Sequence, residues 1–376
     1  MTPDAPVPAT QAAAAAVARP GGRKARKFYG HVHAFRAFAI LNVVALHTIG
    51  LWVDSADPAV RDTRPMQRLA RVNEMLFHNS TIYFVLISGL LYALVLRNRG
   101  AASFYRGKAT QVLLPYGLLT LLFSSLAWDS TAGWHFGLPA GVSLPRLALH
   151  NLFAGHALFV YWYVPVVTGL FLLTPWLHRR LAGPNGTRWL IGCLLLPLVF
   201  SRTGLEVSLS SVLYFLAPYA LGLWLGLDYE ARLAGVQRAR LPLLGVALAT
   251  LPALYISLYV SGTSDQPFFN HIELFFYLQK TAISLLVLLA LRPFDAGVPR
   301  PVAILAEGAF AVYFLHVAFI LAVLPSMLPQ VSPATGWLWH ALALLGLWLL
   351  GILGSLAVTW ALRRLFGTRS RYLVGA

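Results

Sequence analysis

The chain has 376 residues, of which 58% are apolar and 11% charged, and its mean hydropathy is +0.68. Soluble domains carry about a quarter charged residues, so this composition excludes an ordinary soluble enzyme and indicates a chain solvated by lipid. The net charge of +16 has its simplest source in the Lys/Arg excess of cytoplasmic loops, and nucleic-acid binding is not expected. The single cysteine, Cys193, excludes an intrachain disulfide.

The first 28 residues are rich in Ala and Pro and end in a basic run. A signal peptide has its charges before an apolar stretch and a cleavage site after it, whereas here the charges come last. We therefore expect residues 1–28 to form a disordered cytoplasmic tail. The membrane domain is expected over residues 29–366, followed by a short cytoplasmic tail at 367–376.

Apolar stretches of about 20 residues, the length that a helix needs to cross a bilayer, recur along the chain. They predict an all-α polytopic membrane protein of about ten transmembrane helices, at residues 32–53, 75–96, 111–128, 158–177, 189–204, 209–227, 241–261, 271–291, 302–324 and 337–362. With ten spans and the N-terminus inside, 21 of the 29 Lys and Arg residues lie on the cytoplasmic side and 6 on the outer side. This asymmetry follows the positive-inside rule and places both termini in the cytoplasm.

The first predicted span contains two residues that are costly in lipid, Arg36 and His47. Eleven steps of about 100° bring them to nearly the same helix face, roughly 16 Å apart along the axis. Alone, Arg36 would extend to the inner headgroups, and His47 would be a hydrogen-bonded core histidine. Their shared face instead favours a polar stripe that lines something other than lipid.

Lys280, near the middle of the eighth predicted span, is the residue least expected at its depth. A lysine at mid-bilayer predicts a functional site by default. The alternative is a structural ion pair with Glu273, two turns earlier on the same face, or with Glu307.

Two other features have simple explanations. The pair Ser88-Gly89 in the second span is typical of a close helix contact. Arg106 and Lys108 precede the third span, where positive charge is expected on the cytoplasmic side. The loop histidines His135, His150 and His156 fit no zinc-ligand spacing, so no metal site is predicted.

Four stretches, taken in order, resemble acyltransferase family 3, the ten-span membrane O-acyltransferases that decorate bacterial surface sugars and some natural products. They are Arg36 through His47, like the family's Arg-ten-residues-His; Phe84 to Leu91, like Phe-x-x-x-Ser-Gly-Phe-Leu; Tyr161 to Pro175, like Trp-Phe-Leu…Tyr-Leu-Leu-Thr-Pro; and Phe310 to His316, like Ser-Phe-Gly-Ile-Tyr-Leu-Leu-His. The chain departs from the family at Gln111, where a second basic residue is common, and at Ala309, where a serine is usual. The amino-acid sequence around the third span is most similar to that of family members that act on exopolysaccharides.

The resemblance implies an acyl-CoA-dependent O-acyltransferase of the bacterial inner membrane, with acetyl-CoA as co-substrate and a carbohydrate acceptor, either free or lipid-linked. His47 is the well-placed residue of the signature that titrates near neutral pH, and we expect it to be the general base. Arg36 is expected to be the other catalytic residue. Arg36, Arg106 and Lys108 are expected to bind coenzyme A phosphates, since an arginine fork pairs with phosphate in bidentate fashion. Supporting roles are expected for Ser88, Trp162, Lys280, Glu307, Tyr313 and His316.

Direct acyl transfer is favoured over a covalent relay, although an acyl-His47 intermediate stays open. The acyl group (acetyl, succinyl or longer), the acceptor (exopolysaccharide, lipid-linked sugar, glucan or macrolide) and the oligomeric state are also open. The alternative class is a transporter or exporter of a glycan or acyl group, with Arg36, His47, Lys280 and Glu307 along its path. A structural or sensor protein would leave the polar stripe unexplained.

Overall fold

The computed structural model describes residues 28–127, 141–202, 204–260 and 267–375, so the predicted tail at 1–28 lies outside it except for Phe28. Helices dominate these residues, which contain no β-strand beyond one isolated antiparallel bridge between Phe200 and Phe268. The first eight α-helices are α1 (Gly30–Asp54), α2 (Pro58–Arg61), α3 (Arg64–Phe77), α4 (Thr81–Leu91), α5 (Ala101–Lys108), α6 (Leu114–Ala127), α7 (Leu144–Ala154) and α8 (Tyr163–Ala182). The next eight are α9 (Gly186–Leu195), α10 (Leu209–Leu227), α11 (Tyr229–Arg238), α12 (Arg240–Val260), α13 (His271–Ala290), α14 (Arg300–Met327), α15 (Trp337–Phe366) and α16 (Arg371–Val374).

Nine helical segments within the described residues are long and apolar enough to cross a membrane. The apolar segment Gly186–Leu198, at the fifth predicted span, is shorter. Its helix α9 ends at Leu195, two residues before Pro197, whose nitrogen carries no proton for a helical hydrogen bond. The all-α membrane fold is therefore confirmed, while the count of ten and the location of the termini stay predictions.

Helix α1 lies in the middle of the helix assembly, packed against α3, α4, α14 and α15. Its polar residues therefore face protein rather than lipid. By contrast, α12 and α15 carry large exposed apolar side chains such as Ile256 and Trp360. Such surfaces suit hydrocarbon, where a helix satisfies its own backbone hydrogen bonds.

Two glycines bring α4 and α10 into backbone contact. A Cβ at Gly89 would collide with the carbonyl oxygen of Tyr219, and one at Gly222 would collide with that of Leu86. Small residues permit such close approach between membrane helices. The close contact expected at Ser88-Gly89 is therefore present.

The start of α1 is anchored by His31, which is fully buried. Its Nδ1 lies 2.6 Å from Oδ1 of Asp295, and its Nε2 lies 2.5 Å from the hydroxyl of Tyr229. At the opposite end of the chain, Val374 is buried and α16 packs against α6. Residues 367–375 are thus folded against the membrane domain.

Candidate active site

Two internal cavities lie along α1, one at each of its costly polar residues. The first, of about 530 Å³, we call the basic cavity; its charged lining residues are Arg36, Lys108, Arg363, Arg371 and Glu307. The second, of about 430 Å³, we call the histidine cavity; its titratable and aromatic lining includes His47, His78, Asp54, Glu74, Arg202, Trp162 and Tyr313. The single helix α1 therefore places one of its polar side chains in each cavity.

His47 is oriented by a chain of hydrogen bonds that begins on α14. The Nδ1 atom of buried His316 lies 2.8 Å from the carbonyl oxygen of Val312 and 3.0 Å from that of Tyr313. Because a carbonyl only accepts, Nδ1 of His316 carries the proton, and in the neutral ring Nε2 is the acceptor. That Nε2 lies 2.9 Å from Nδ1 of His47, so His47 donates from Nδ1 and keeps a lone pair on Nε2.

This tautomer is the one that a general base needs. The free Nε2 can take a proton, while Nδ1 is held in place by His316. The ring of His47 is further held edge-on by Phe159, at a centroid distance of 5.3 Å.

The segment that carries Phe159 and Trp162 is docked on α14 by two tyrosines. The hydroxyl of Tyr161 donates to the carbonyl oxygen of Phe314 at 2.9 Å, and the hydroxyl of Tyr313 donates to that of Val160. Just before this segment, Gly155 has a φ of +71°, and a Cβ there would collide with the backbone of Trp162. Local backbone geometry therefore places Trp162 in the wall of the histidine cavity.

A buried polar cluster lies at one wall of the histidine cavity: Glu74, His78, Asn79 and Arg202 line the cavity, and Glu273 of α13 lies behind them. His78 pairs through Nδ1 with Glu74, and its Nε2 lies 3.2 Å from Oε1 of Glu273. Asn79 donates to the other oxygen of Glu273 at 2.6 Å. The NH2 atom of Arg202 lies 3.1 Å from Nε2 of His78.

Sequence reasoning missed this cluster as a site. The sequence suggests Glu273 only as a possible partner of Lys280, and it does not single out Arg202. One signal was available, because a carboxylate in the first turn of a membrane span is costly unless it is paired. Its partners could not be identified, since they come from elements distant in sequence.

The cations that line the basic cavity are not all paired with carboxylates. Glu307 pairs with Arg363 at 3.5 Å, and no described residue forms an ion pair with Arg36. The amine of Lys108 lies over the ring of Phe171, 4.1 Å from its centroid. Such an arrangement suits an anionic ligand, since the cations are not already neutralised.

Arg106, expected beside Lys108, is exposed and does not line the basic cavity. Ser88 and Gln111 do line it. The C-terminal segment contributes Arg371, whose place in this lining was not predicted.

A small apolar pocket of about 20 Å³ lies between the two cavities. It shares Ser88, Phe84 and Phe310 with the basic cavity, and Tyr313 with the histidine cavity. About 10–15 Å³ of such volume holds one water-sized group, so the pocket has room for roughly one methyl group. The small pocket therefore borders the basic cavity on one side and, at Tyr313, the histidine cavity on the other.

Lys280 lines neither cavity. Its amine donates to the carbonyl oxygen of Leu76 at 2.6 Å and to Oε1 of Gln279 at 2.7 Å. The alternative of an ion pair with Glu273 or Glu307 is not seen: Glu273 contacts Asn79 and His78, and Glu307 pairs with Arg363. Lys280 instead satisfies carbonyls at the end of α3, where a helix leaves acceptors without partners.

For metal ions, the described ranges hold no group of three or more His, Cys, Asp or Glu side chains placed to bind one. His135 falls outside those ranges.

One of three comparisons with known proteins gives a match. Neither the search of curated proteins nor that of solved structures gives a match. The family described as an acyltransferase domain, acyltransferase family 3, matches residues 30–364. This match includes Arg36 and His47, the α1 residues of the two cavities, and also His316, the partner of His47. It spans most of the 376 residues. The chain therefore belongs to acyltransferase family 3 and is a membrane acyltransferase.

Proposed function

We propose that the protein moves an acyl group, most simply acetyl, from cytoplasmic acyl-CoA to a hydroxyl of a carbohydrate at the periplasmic side. His47 acts as the general base. The observation that carries this proposal is the hydrogen-bond chain from Val312 through His316, which leaves Nε2 of His47 unprotonated in the histidine cavity.

The donor is assigned to the basic cavity. Coenzyme A carries several phosphate charges, and Arg36 and Lys108 offer cations that are not already paired with carboxylates. Arg363 and Arg371, in the same lining, come from a segment that the positive-inside rule places in the cytoplasm. Arg106 has no assigned contact.

The thioester reaches His47 past the small apolar pocket, which has to widen for the pantetheine arm to pass, since it now has room for roughly one methyl group. Arg36 and His47 are roughly 16 Å apart along α1, a span comparable to the reach of an extended pantetheine arm. A donor held by its phosphates in the basic cavity would thus present its acyl carbon near Nε2. The acceptor enters the histidine cavity from the outer side.

The reaction is a direct transfer. Nε2 of His47 takes the proton of the acceptor hydroxyl as its oxygen bonds to the thioester carbon. The carbon–sulfur bond then breaks, and the thiolate leaves with the proton that His47 returns. His316 keeps the imidazole oriented throughout, and no acyl-enzyme bond is needed.

The acceptor is proposed to be an exopolysaccharide or its lipid-linked precursor, and the membrane the bacterial inner membrane, with both termini cytoplasmic. Transport of a glycan or acyl group has less support. A path through Arg36, His47, Lys280 and Glu307 does not form, because Lys280 lines neither cavity.

The test uses purified protein in nanodiscs. We expect wild type to bind acetyl-CoA and to release coenzyme A slowly without acceptor, while His47→Gln binds the donor and releases none. His271→Gln is the matched control, since His271 is exposed at the start of α13 and lines neither cavity. Failure of wild type to bind any acyl-CoA would overturn the proposal.

A further inference from the structure

We propose that Arg202 is a second catalytic residue, which stabilises the negative charge that develops on the thioester oxygen during transfer. The inference rests on the function proposed above, and it concerns a residue outside the four stretches that carry the family resemblance. It follows from the burial, the fixed position and the unused hydrogen-bonding capacity of this side chain.

Arg202 is a buried cation in the same cavity as the base. The residue is 9% exposed, lies in the non-helical segment between α9 and α10, and lines the histidine cavity together with His47. A charge held away from water acts more strongly on a neighbouring charge than the same group on the surface.

Three neighbours hold the guanidinium in place. Its carbon lies 5.1 Å from the ring centroid of Trp162, and its NH2 lies 3.1 Å from Nε2 of His78. Glu273 lies on its third side, with Oε1 3.7 Å from Nε of Arg202. Fixed donors stabilise a transition state because they need no reorganisation when charge develops.

The guanidinium of Arg202 has hydrogen-bond donors that its described neighbours do not use. Nε of Arg202 is buried and has no hydrogen-bond partner among the described residues, and 3.7 Å is too long for one. A guanidinium carries five N–H donors, and a buried donor without a partner needs an explanation. Nε faces Glu273 and is closed to the cavity, so the donors open to a ligand are those of the terminal nitrogens, of which NH2 alone has a hydrogen-bond contact among the described residues.

The charge balance favours a transient anion over a resident one. Glu273 compensates Arg202 when the cavity holds no ligand, and Glu273 is itself fixed by Asn79 at 2.6 Å. A permanently charged acceptor group would meet this carboxylate as well as the cation. An oxyanion that exists only near the transition state needs hydrogen-bond donors more than net charge.

The step is balanced as follows. The acceptor oxygen bonds to the thioester carbon as His47 removes its proton, and the carbonyl π pair moves to the oxygen beside Arg202. When that pair re-forms the carbonyl, the carbon–sulfur bond breaks and the sulfur takes the proton from His47. Arg202 stays protonated and gains no bond.

The test compares Arg202→Gln with wild type in nanodiscs, using acetyl-CoA as the probe. We expect the first-order rate of acetyl loss from bound donor to fall about 100- to 1000-fold, the usual cost of one oxyanion donor. The Kd for acetyl-CoA should change less than twofold. Arg146→Gln is the matched control, since Arg146 is exposed and lines neither cavity.

A chemical rescue separates catalysis from packing. In Arg202→Ala, millimolar guanidinium should restore the rate at least tenfold, whereas sodium at equal ionic strength should not. If Arg202→Gln does not fold, Glu273→Gln, which keeps the side-chain shape, should lower the rate without changing the Kd.

Three outcomes would overturn the assignment: an unchanged rate in Arg202→Gln, no rescue by guanidinium, or a change confined to the Kd for acetyl-CoA. In each case wild type still binds and turns over acetyl-CoA, so the proposed function would stand. Loss of donor binding by wild type itself would instead remove the function on which the inference rests.

Discussion

The two cavities along α1 differ in how their charged and titratable side chains are paired. In the histidine cavity two titratable lining side chains are held by specific partners: His47 by buried His316 behind the lining, and His78 by Glu74. In the basic cavity, Arg36 has no ion pair with a described residue, and the amine of Lys108 faces an aromatic ring.

The difference corresponds to two tasks. Proton transfer requires one ring nitrogen to be unprotonated and aimed, which hydrogen bonds achieve. Binding of a polyanion requires positive charge that is not already neutralised. A variant should therefore alter the rate when it lies in the histidine cavity and donor affinity when it lies in the basic cavity.

The largest effect among the supporting residues is expected at His316. Replacing it by Leu removes the acceptor for Nδ1–H of His47, and the rate of transfer should fall about tenfold, the worth of one neutral hydrogen bond at its upper end. His316→Gln offers an amide oxygen and should recover most of the rate. Single-turnover kinetics would measure both, and equal losses in the two variants would argue that His316 only fills space.

An effect of similar size, on affinity alone, is expected at Lys108. Lys108→Gln should raise the Kd of acetyl-CoA about tenfold, which corresponds to about 1.4 kcal/mol, because one cation of the basic cavity is lost. Arg106→Gln is its matched control and should leave the Kd unchanged, since Arg106 is exposed outside the cavity. Binding titrations would decide, and a stronger effect at Arg106 would move the donor site away from this cavity.

The smallest effect on activity is expected at Lys280. Lys280→Met leaves the carbonyl of Leu76 without its donor, so the free energy of unfolding should fall by about 1–3 kcal/mol. The rate and the Kd at temperatures where the protein is folded should be those of wild type. Thermal unfolding and kinetics measured on one preparation test this, and a stable but inactive variant would restore a functional role to this lysine.

Much of the fold was predictable because lipid imposes strong rules on sequence. Span length and apolar character predicted the all-α membrane fold, and the helical repeat predicted that Arg36 and His47 share a face. The weakest of the span predictions is the fifth, at α9, because its short apolar run ends near Pro197.

The candidate site was predictable only where the sequence places its residues on one helix or in a recognisable stretch. The cluster of His78, Glu273 and Arg202 is assembled from three elements distant in sequence, and helix packing alone brings them together. The role of Lys280 was not predictable for the same reason, because its carbonyl partners on α3 leave no pattern in the sequence.

The division of labour between the cavities is tested most directly by measuring two quantities on two variants, Arg36→Gln and His47→Gln, in nanodiscs. The quantities are the Kd for acetyl-CoA and the single-turnover rate at saturating donor. We expect Arg36→Gln to raise the Kd about 10- to 100-fold, the range for a charged hydrogen bond, with little change in rate. His47→Gln should lower the rate about 100- to 10,000-fold at an unchanged Kd. If both variants change the same quantity, the two cavities do not divide binding from chemistry, and the account is contradicted.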